Sequence, residues 1–71
     1  MNISDKVMIL LRSCGKRQLD LMEPLHMSSR QSLSNKFTGN RWSASDLVDV
    51  ANATGTKISF VLQDGNRIDL N

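Results

Sequence analysis

Between residues 28 and 41 the chain reads SSRQSLSNKFTGNR, and these side chains are suited to hydrogen bonding rather than to breaking covalent bonds. Arg30 offers a fork of N–H donors, while Gln31 and Asn35, four apart, each set an amide donor beside a carbonyl acceptor. Ser29, Ser32, Lys36, Asn40 and Arg41 add hydroxyls, a further amide and two cations. Leu33 and Phe37 are also four apart, the spacing by which one face of a helix docks on a core. The segment therefore reads as a short helix with a buried edge and an unusually hydrogen-bonding remainder.

Covalent chemistry has few candidates elsewhere. His26 and Cys14 are the only residues of their types, no catalytic pattern surrounds either, and helix packing accounts for both. No catalytic residue and no enzyme activity are expected. One His and one Cys cannot fill a four-ligand metal site, and Asp64-Gly65-Asn66 lacks the further carboxylates of a calcium loop. No metal, cofactor or small-molecule ligand is expected.

A chain of 71 residues makes one small domain, residues 1–71, near the lower limit at which a single core holds a fold. A lone cysteine forms no internal disulfide, which in so small a domain points to a cytoplasmic setting. The longest apolar run, Val7 to Leu11, lies between Lys6 and Arg12 and is too short for a signal peptide's core or a membrane span. No membrane partner is expected. No internal repeat, low-complexity tract or linker divides the chain.

The net charge of +2 is unevenly distributed. Residues 12–41 carry Arg12, Lys16, Arg17, Arg30, Lys36 and Arg41 against Asp20 and Glu23, whereas residues 42–71 carry Lys57 and Arg67 against Asp46, Asp49, Asp64 and Asp69. A basic middle thus precedes an acidic tail, an asymmetry that weakly favours an anionic partner.

The elements that must position these residues follow from periodicity. Ile3, Val7, Leu10, Leu11 and Cys14 keep helical spacing, with Asn2 or Ser4 able to cap the start and Gly15 the stop. Leu21, Met22 and Leu25 suggest a second helix, short or bent because Pro24 lacks an amide hydrogen. Ser29 caps a third helix, about 29–37, with Gly39 just past it. Ser43 with Asp46 approximates a capping box for a fourth, in which Leu47, Val50 and Ala51 form the apolar stripe before Gly55. Four helices are expected over about 3–54.

After Gly55 the period becomes two. Ile58, Phe60 and Leu62 alternate with Lys57, Ser59 and Val61, and Asp64-Gly65 turns the chain into Arg67-Ile68-Asp69-Leu70. A β-hairpin over about 57–70 is expected. A three-residue loop, Gln63-Asp64-Gly65, pairs Phe60 with Ile68 and Ile58 with Leu70, whereas a two-residue loop would split the apolar face. An isolated hairpin is marginal in water, so its face must rest on the helices or on a second chain. Met22 and Met27 read as gap-filling core residues, Trp42 as a core or staple residue, and Phe60 as part of the hairpin's packed face.

On these residues the chain resembles the helix-turn-helix of the phage repressor and Cro type, the lambda-repressor-like family. The stretch LMEPLHMSSRQSLSNKFTGNRW, residues 21–42, is similar to its pattern of a first helix, a turn, then Ser/Thr-x-x-x-Ile/Leu-Ser and a glycine five residues later. Ser29, Leu33, Ser34 and Gly39 keep that spacing without a gap, and SRQSLSNK with a strand-like tail looks similar to small regulators of bacterial mobile elements. Met22 stands where the family usually has alanine, Pro24 is atypical, and His26-Met27-Ser28 makes the turn one residue longer.

The resemblance implies a mainly α, four-helix lambda-repressor-like domain with a C-terminal β-hairpin. It also implies sequence-specific binding of double-stranded DNA by a repressor-like transcriptional regulator. In such a motif the start of the recognition helix lies in the major groove, so Arg30, Gln31 and Asn35 would contact bases, Arg suiting guanine and the amides adenine. Ser29, with the first free amides of that helix, would hold a phosphate. Ser32, Lys36, Asn40 and Arg41, with Arg17 and Gln18 from the preceding helix, would contact the backbone. A homodimer is expected because such modules read paired half-sites, with the hairpin as the candidate contact. The alternative is an antitoxin-like or accessory protein-interaction module whose hairpin augments a partner's sheet.

Overall fold

The first helix begins where Asn2 closes a capping box: its side chain accepts the Asp5 amide at 2.9 Å, and Asp5 accepts the Asn2 amide at 3.2 Å. Of the two candidate caps, Asn2 therefore does the capping, and Ser4 is buried instead. The helix, α1 (Ile3–Ser13), buries Val7 and Leu11. It stops at Gly15, whose φ of +68° lets the Lys16 N–H return to the Leu11 carbonyl at 2.8 Å.

The computed structural model describes all 71 residues. After α1 come α2 (Arg30–Thr38), α3 (Ala44–Thr54) and a two-stranded antiparallel hairpin of β1 (Ser59–Val61) and β2 (Arg67–Asp69). The class, mainly α with a C-terminal hairpin, is the one the sequence indicates. The four helices are not seen; there are three.

The expected second helix is where the fold departs from expectation. Gln18–Leu21 forms a single 3-10 segment, followed by turns to His26. Its bonds run from Asp20 N–H to the Arg17 carbonyl and from Met22 N–H to the Leu19 carbonyl, both three residues back. Pro24 supplies no amide for the next position of an α-ladder. One α-type bond survives, Leu25 N–H to the Leu21 carbonyl at 3.0 Å, before the Met27 N–H closes the coil on the Met22 carbonyl at 2.8 Å. That closure needs a left-handed residue, and His26 supplies it with φ +55°, a conformation His adopts more readily than most non-glycine residues. The segment still delivers Leu21 and Leu25 to the core, 1% and 6% exposed, so it does a helix's packing in fewer hydrogen-bonded turns.

The core is one cluster of Val7, Leu11, Leu21, Leu25, Leu33 and Val50, with Met22, Met27, Phe37 and Trp42 packed around it. It therefore draws on all three helices and the 3-10 segment. Leu33 is the only buried residue of α2, so this helix is held by one edge and leaves its other sides open.

The hairpin has the expected register: Phe60 faces Ile68, Ser59 faces Asp69 and Val61 faces Arg67. The Leu62 and Gly65 amides bond the Asn66 and Leu62 carbonyls, leaving Gln63-Asp64-Gly65 as the loop. Gly65 has φ +91°, which a side chain would oppose. The hairpin extends away from the helices rather than folding over them. The radius of gyration is 12.7 Å and the extents are 42 × 21 × 20 Å, where a typical compact domain of this length would have a radius of about 11 Å. No helix is long and apolar enough to cross a membrane.

Candidate functional site

The exposed side of α2 carries the residues singled out by the sequence. Ser29, in extended conformation, caps the helix by accepting the Ser32 amide at 3.1 Å and donates its hydroxyl to Ser32 Oγ at 2.9 Å. Both hydroxyls are thereby turned on each other. The amides of Arg30 and Gln31, ahead of the first intrahelical bond at Leu33, have no partner in the chain and form the positive end of the helix dipole.

Arg30, Gln31 and Asn35 are all exposed. One turn apart, Gln31 Nε2 donates to Asn35 Oδ1 at 2.9 Å. This bond uses one donor and one acceptor, so the pair still presents the Gln31 carbonyl and the Asn35 amide group outward. Two flexible amides are thus held as a single hydrogen-bonding surface, and less rotamer freedom is left to lose on binding.

Past α2, Arg41 is exposed and folds back along the helix end. A Cβ at Gly39 would come within 2.9 Å of Arg41 Nε and 3.0 Å of the Asn35 carbonyl oxygen. Gly39 has an ordinary φ of −84°, so it serves close approach, and the left-handed residue here is Asn40 with φ +52°. Asn35, Thr38, Gly39 and Arg41 line a cleft with no hydrophobic residue.

Four other candidates are committed within the fold. Lys36 donates to Asp46 Oδ2 at 2.7 Å and to the Arg41 carbonyl at 3.1 Å, and its ammonium lies 5.6 Å from the Trp42 ring centroid. Asn40 Oδ1 accepts the Ser4 amide at 2.9 Å. Gln18 is half-buried, its Nε2 directed at Met8 Sδ at 3.1 Å, and Ser32 is tied to Ser29. Arg17 stays exposed at the start of the 3-10 segment, its backbone amide bonded to Asp20 at 2.8 Å. Arg30, Gln31, Asn35, Arg41 and Arg17 thus carry exposed side chains with no side-chain bond to the scaffold's other elements, whereas Lys36 and Gln18 are half-buried and the exposed Asn40 and Ser32 are bonded within the chain.

Charge points the same way. The chain has two ion pairs, Lys36–Asp46 and Arg67–Asp69. Arg12, Lys16, Arg17, Arg30 and Arg41 have no acidic partner, so the basic middle of the chain is available to something outside it. For Asp46, burial raises the carboxyl pKa. The bond from Lys36 and those from the Ser43 amide and hydroxyl outweigh it and hold the group below its ordinary value of 3.8.

The residue that orients α2 was marked by the sequence only as a candidate cap of the first helix. Ser4 is the one buried polar residue. Its hydroxyl donates to the Phe37 carbonyl at 2.6 Å and accepts the Trp42 indole N–H at 2.9 Å, while its amide is capped by Asn40. Trp42 meets Phe37 edge-on, ring centroids 4.9 Å apart at 86°. These contacts fasten the C-terminal end of α2 and its exit loop to the first turn of α1. Trp42 plays the core role expected of it, but nothing in local spacing marks Ser4 as its partner 38 positions away.

No group of three or more His, Cys, Asp or Glu residues is placed to hold a metal, and Cys14 turns its thiol toward the Thr54 carbonyl at 3.9 Å. Comparisons with protein-family models, with characterised proteins and with solved structures find no match to this chain.

Proposed function

We propose that this protein is a sequence-specific double-stranded-DNA-binding regulator of the lambda-repressor-like, repressor type, with α2 as its recognition helix. The reading is carried by the exposed face of α2, where Arg30 stands beside a mutually hydrogen-bonded Gln31 and Asn35. Arg matches the paired acceptors of guanine and the two amides match adenine, each good bidentate pair discriminating by about 1–3 kcal/mol. The unpartnered Arg30 and Gln31 amides suit a phosphate at the helix start. Arg41 at the far end and Arg17 on the preceding segment extend the backbone contacts, which position the helix without specifying sequence. Lys36 and Asn40, taken from the sequence as phosphate contacts, act instead by fixing the end of α2 through Asp46 and Ser4.

In this arrangement the 3-10 segment takes the place of the first helix of the motif. It still carries Leu21 and Leu25 into the core and delivers the chain to Ser29, although in coils tighter than an α-helix. The domain acts in the cytoplasm as a homodimer on paired half-sites, as one small module rarely has the contact area for selectivity.

A second reading, a protein-interaction module acting through the hairpin, is favoured by the exposure of Phe60, Ile68 and Leu70. A gel shift on genomic fragments over a salt series separates the two. DNA binding weakens steeply as salt rises, because each neutralised phosphate releases counterions. A protein-contact module retains no DNA at any salt.

A further inference from the structure

Where the helices give way to the hairpin, the backbone passes through one residue that has no backbone hydrogen bond of its own. Thr56 belongs to the helical body: its amide and its hydroxyl both donate to the Ala51 carbonyl, at 2.9 and 3.4 Å, and its hydroxyl meets that of Thr54 at 2.8 Å. Ile58 belongs to the hairpin, since its carbonyl accepts the Leu70 amide at 2.7 Å and its amide donates to Asn71 Oδ1 at 2.9 Å. Lys57 lies between them, exposed, its backbone amide and carbonyl bonded to nothing in the chain. Rotation at Lys57 turns the hairpin against the helices and leaves the backbone bonds of both intact.

One side chain opposes that rotation. Asn71 Nδ2 donates to Asn52 Oδ1, on α3, at 2.8 Å and to the Thr56 carbonyl at 2.9 Å. These are the only hydrogen bonds between residues 57–71 and residues 1–56. With its Oδ1 taken by the Ile58 amide, the Asn71 amide has both donors spent on the body and its acceptor on the hairpin. Lys57 Nζ bonds the Asn71 backbone carbonyl at 2.7 Å, which seats the residue beside the hinge from the hairpin's own side. Apolar packing across the junction is thin: Ile58 is half-buried at the edge of α1 and α3, whereas Phe60, Leu62, Ile68 and Leu70 stay exposed.

We propose that Asn71 is the latch of a hinged arm. Its amide sets the angle of the hairpin to α3, and when Nδ2 lets go the hairpin turns as a rigid body about Lys57. The arm stays intact because everything that holds its strands together lies beyond the hinge: the Phe60–Ile68 pairing, the Leu70–Ile58 bond and the loop bonds at Leu62 and Gly65. Neutral hydrogen bonds near the surface exchange for bonds to water at little net cost. Latched and released positions therefore lie close in free energy, the condition for a part that moves. Re-aiming the arm breaks two bonds of one amide and disturbs nothing in the core. None of Arg30, Gln31 and Asn35 takes part, so the proposal stands without the DNA reading.

The test is NMR of the full chain without DNA. In the parent, residual dipolar couplings are expected to fit helices and hairpin to one alignment frame, with hairpin amide order parameters of about 0.85, as in rigid backbone. In Asn71→Ala the hairpin should need a frame of its own and its order parameters should fall below about 0.6, while Phe60–Ile68 cross-strand contacts and helical circular dichroism persist. Asn52→Ala, which removes one of the two bonds across the hinge, should give an intermediate loss. A hairpin that keeps the helices' frame in Asn71→Ala overturns the proposal, because packing at Ile58 would then set the angle. Loss of the Phe60–Ile68 pairing in that variant also overturns it, since Asn71 would hold the hairpin together rather than aim it. So does a parent whose hairpin already turns freely.

Discussion

Ser4 and Trp42, 38 positions apart, share a hydrogen bond of 2.9 Å from the indole N–H to the serine hydroxyl, and through it the exit of α2 is fixed to the start of α1. The same hydroxyl donates to the Phe37 carbonyl. One small side chain therefore satisfies the indole donor and adds a second bond to the Phe37 carbonyl, which also accepts the Asn40 amide at 3.3 Å. Ser4→Ala is expected to destabilise the domain by about 2–3 kcal/mol, because the stranded indole N–H pays its full desolvation cost and the Phe37 carbonyl loses its shorter bond. For a domain of this size that lowers the melting temperature by roughly 8–24 °C. Ser13→Ala, at an exposed hydroxyl bonded to the Ile9 carbonyl, should change it little. Equal melting temperatures for the two variants would mean that Ser4 does not hold the helices together.

His26 and Asn40 both sit in the left-handed region, φ +55° and +52°, but only at Asn40 does the side chain itself do anything there. The Asn40 side chain caps the Ser4 amide, while His26 is exposed and forms no side-chain bond. His26→Gly should therefore raise stability by about 0.5–1 kcal/mol by relieving the backbone, and Asn40→Gly should lower it because the lost cap exceeds the relief. Urea midpoints of the two variants against the parent check the opposite signs.

The Lys36–Asp46 pair gives a pH dependence whose sign is set by the depressed carboxyl. With its folded-state value below 3.8, the pair's contribution is fully present above the unfolded value and is lost as pH falls through the folded one. Lys36→Met should cost about 1–2 kcal/mol at pH 7, between the worth of surface and buried pairs. That difference should shrink as pH falls below 3.8 and through the lowered folded-state value. Urea titrations from neutral to acid pH follow it, and a difference that stays constant would remove the ion pair as its cause.

Much of this was legible in the residues, and the exceptions have physical reasons. The hairpin register could be read because the period-two pattern tolerates one loop length, and Ser29 and Ser43 announce their helices because capping is local. The missing α-helix turned on Pro24. Its presence warned of a short or bent helix, but whether the coil would be α or 3-10 depends on which carbonyls remain within reach after the amide is lost. The committed roles of Lys36 and Asn40 were hidden for another reason. A lysine facing a nucleic acid and one facing an aspartate ten residues on look identical in a sequence, and Ser4 lies 33 to 38 positions from the groups it joins.

If α2 reads DNA as proposed, its residues divide by the kind of loss they produce. Gln31→Ala and Asn35→Ala should relax preference at individual base pairs, by about 1–3 kcal/mol at each. Arg41→Ala should weaken all sequences alike and flatten the salt dependence by about one. Lys36→Ala should leave the salt slope alone and show itself in stability. Binding-site selection with each variant, followed by affinity measurements at several salt concentrations, separates these patterns.

Fluorescence anisotropy of the chain on its selected duplex, titrated across sodium chloride concentrations beside Gln31→Ala, tests the central claim most directly. Saturable binding is expected, with log affinity falling linearly with log salt by about two per copy from Arg17 and Arg41. The Gln31→Ala variant should keep that slope while losing preference for the selected sequence. No binding at low salt, or a Gln31→Ala variant with unchanged affinity and unchanged preference, would contradict the assignment of α2 to the major groove.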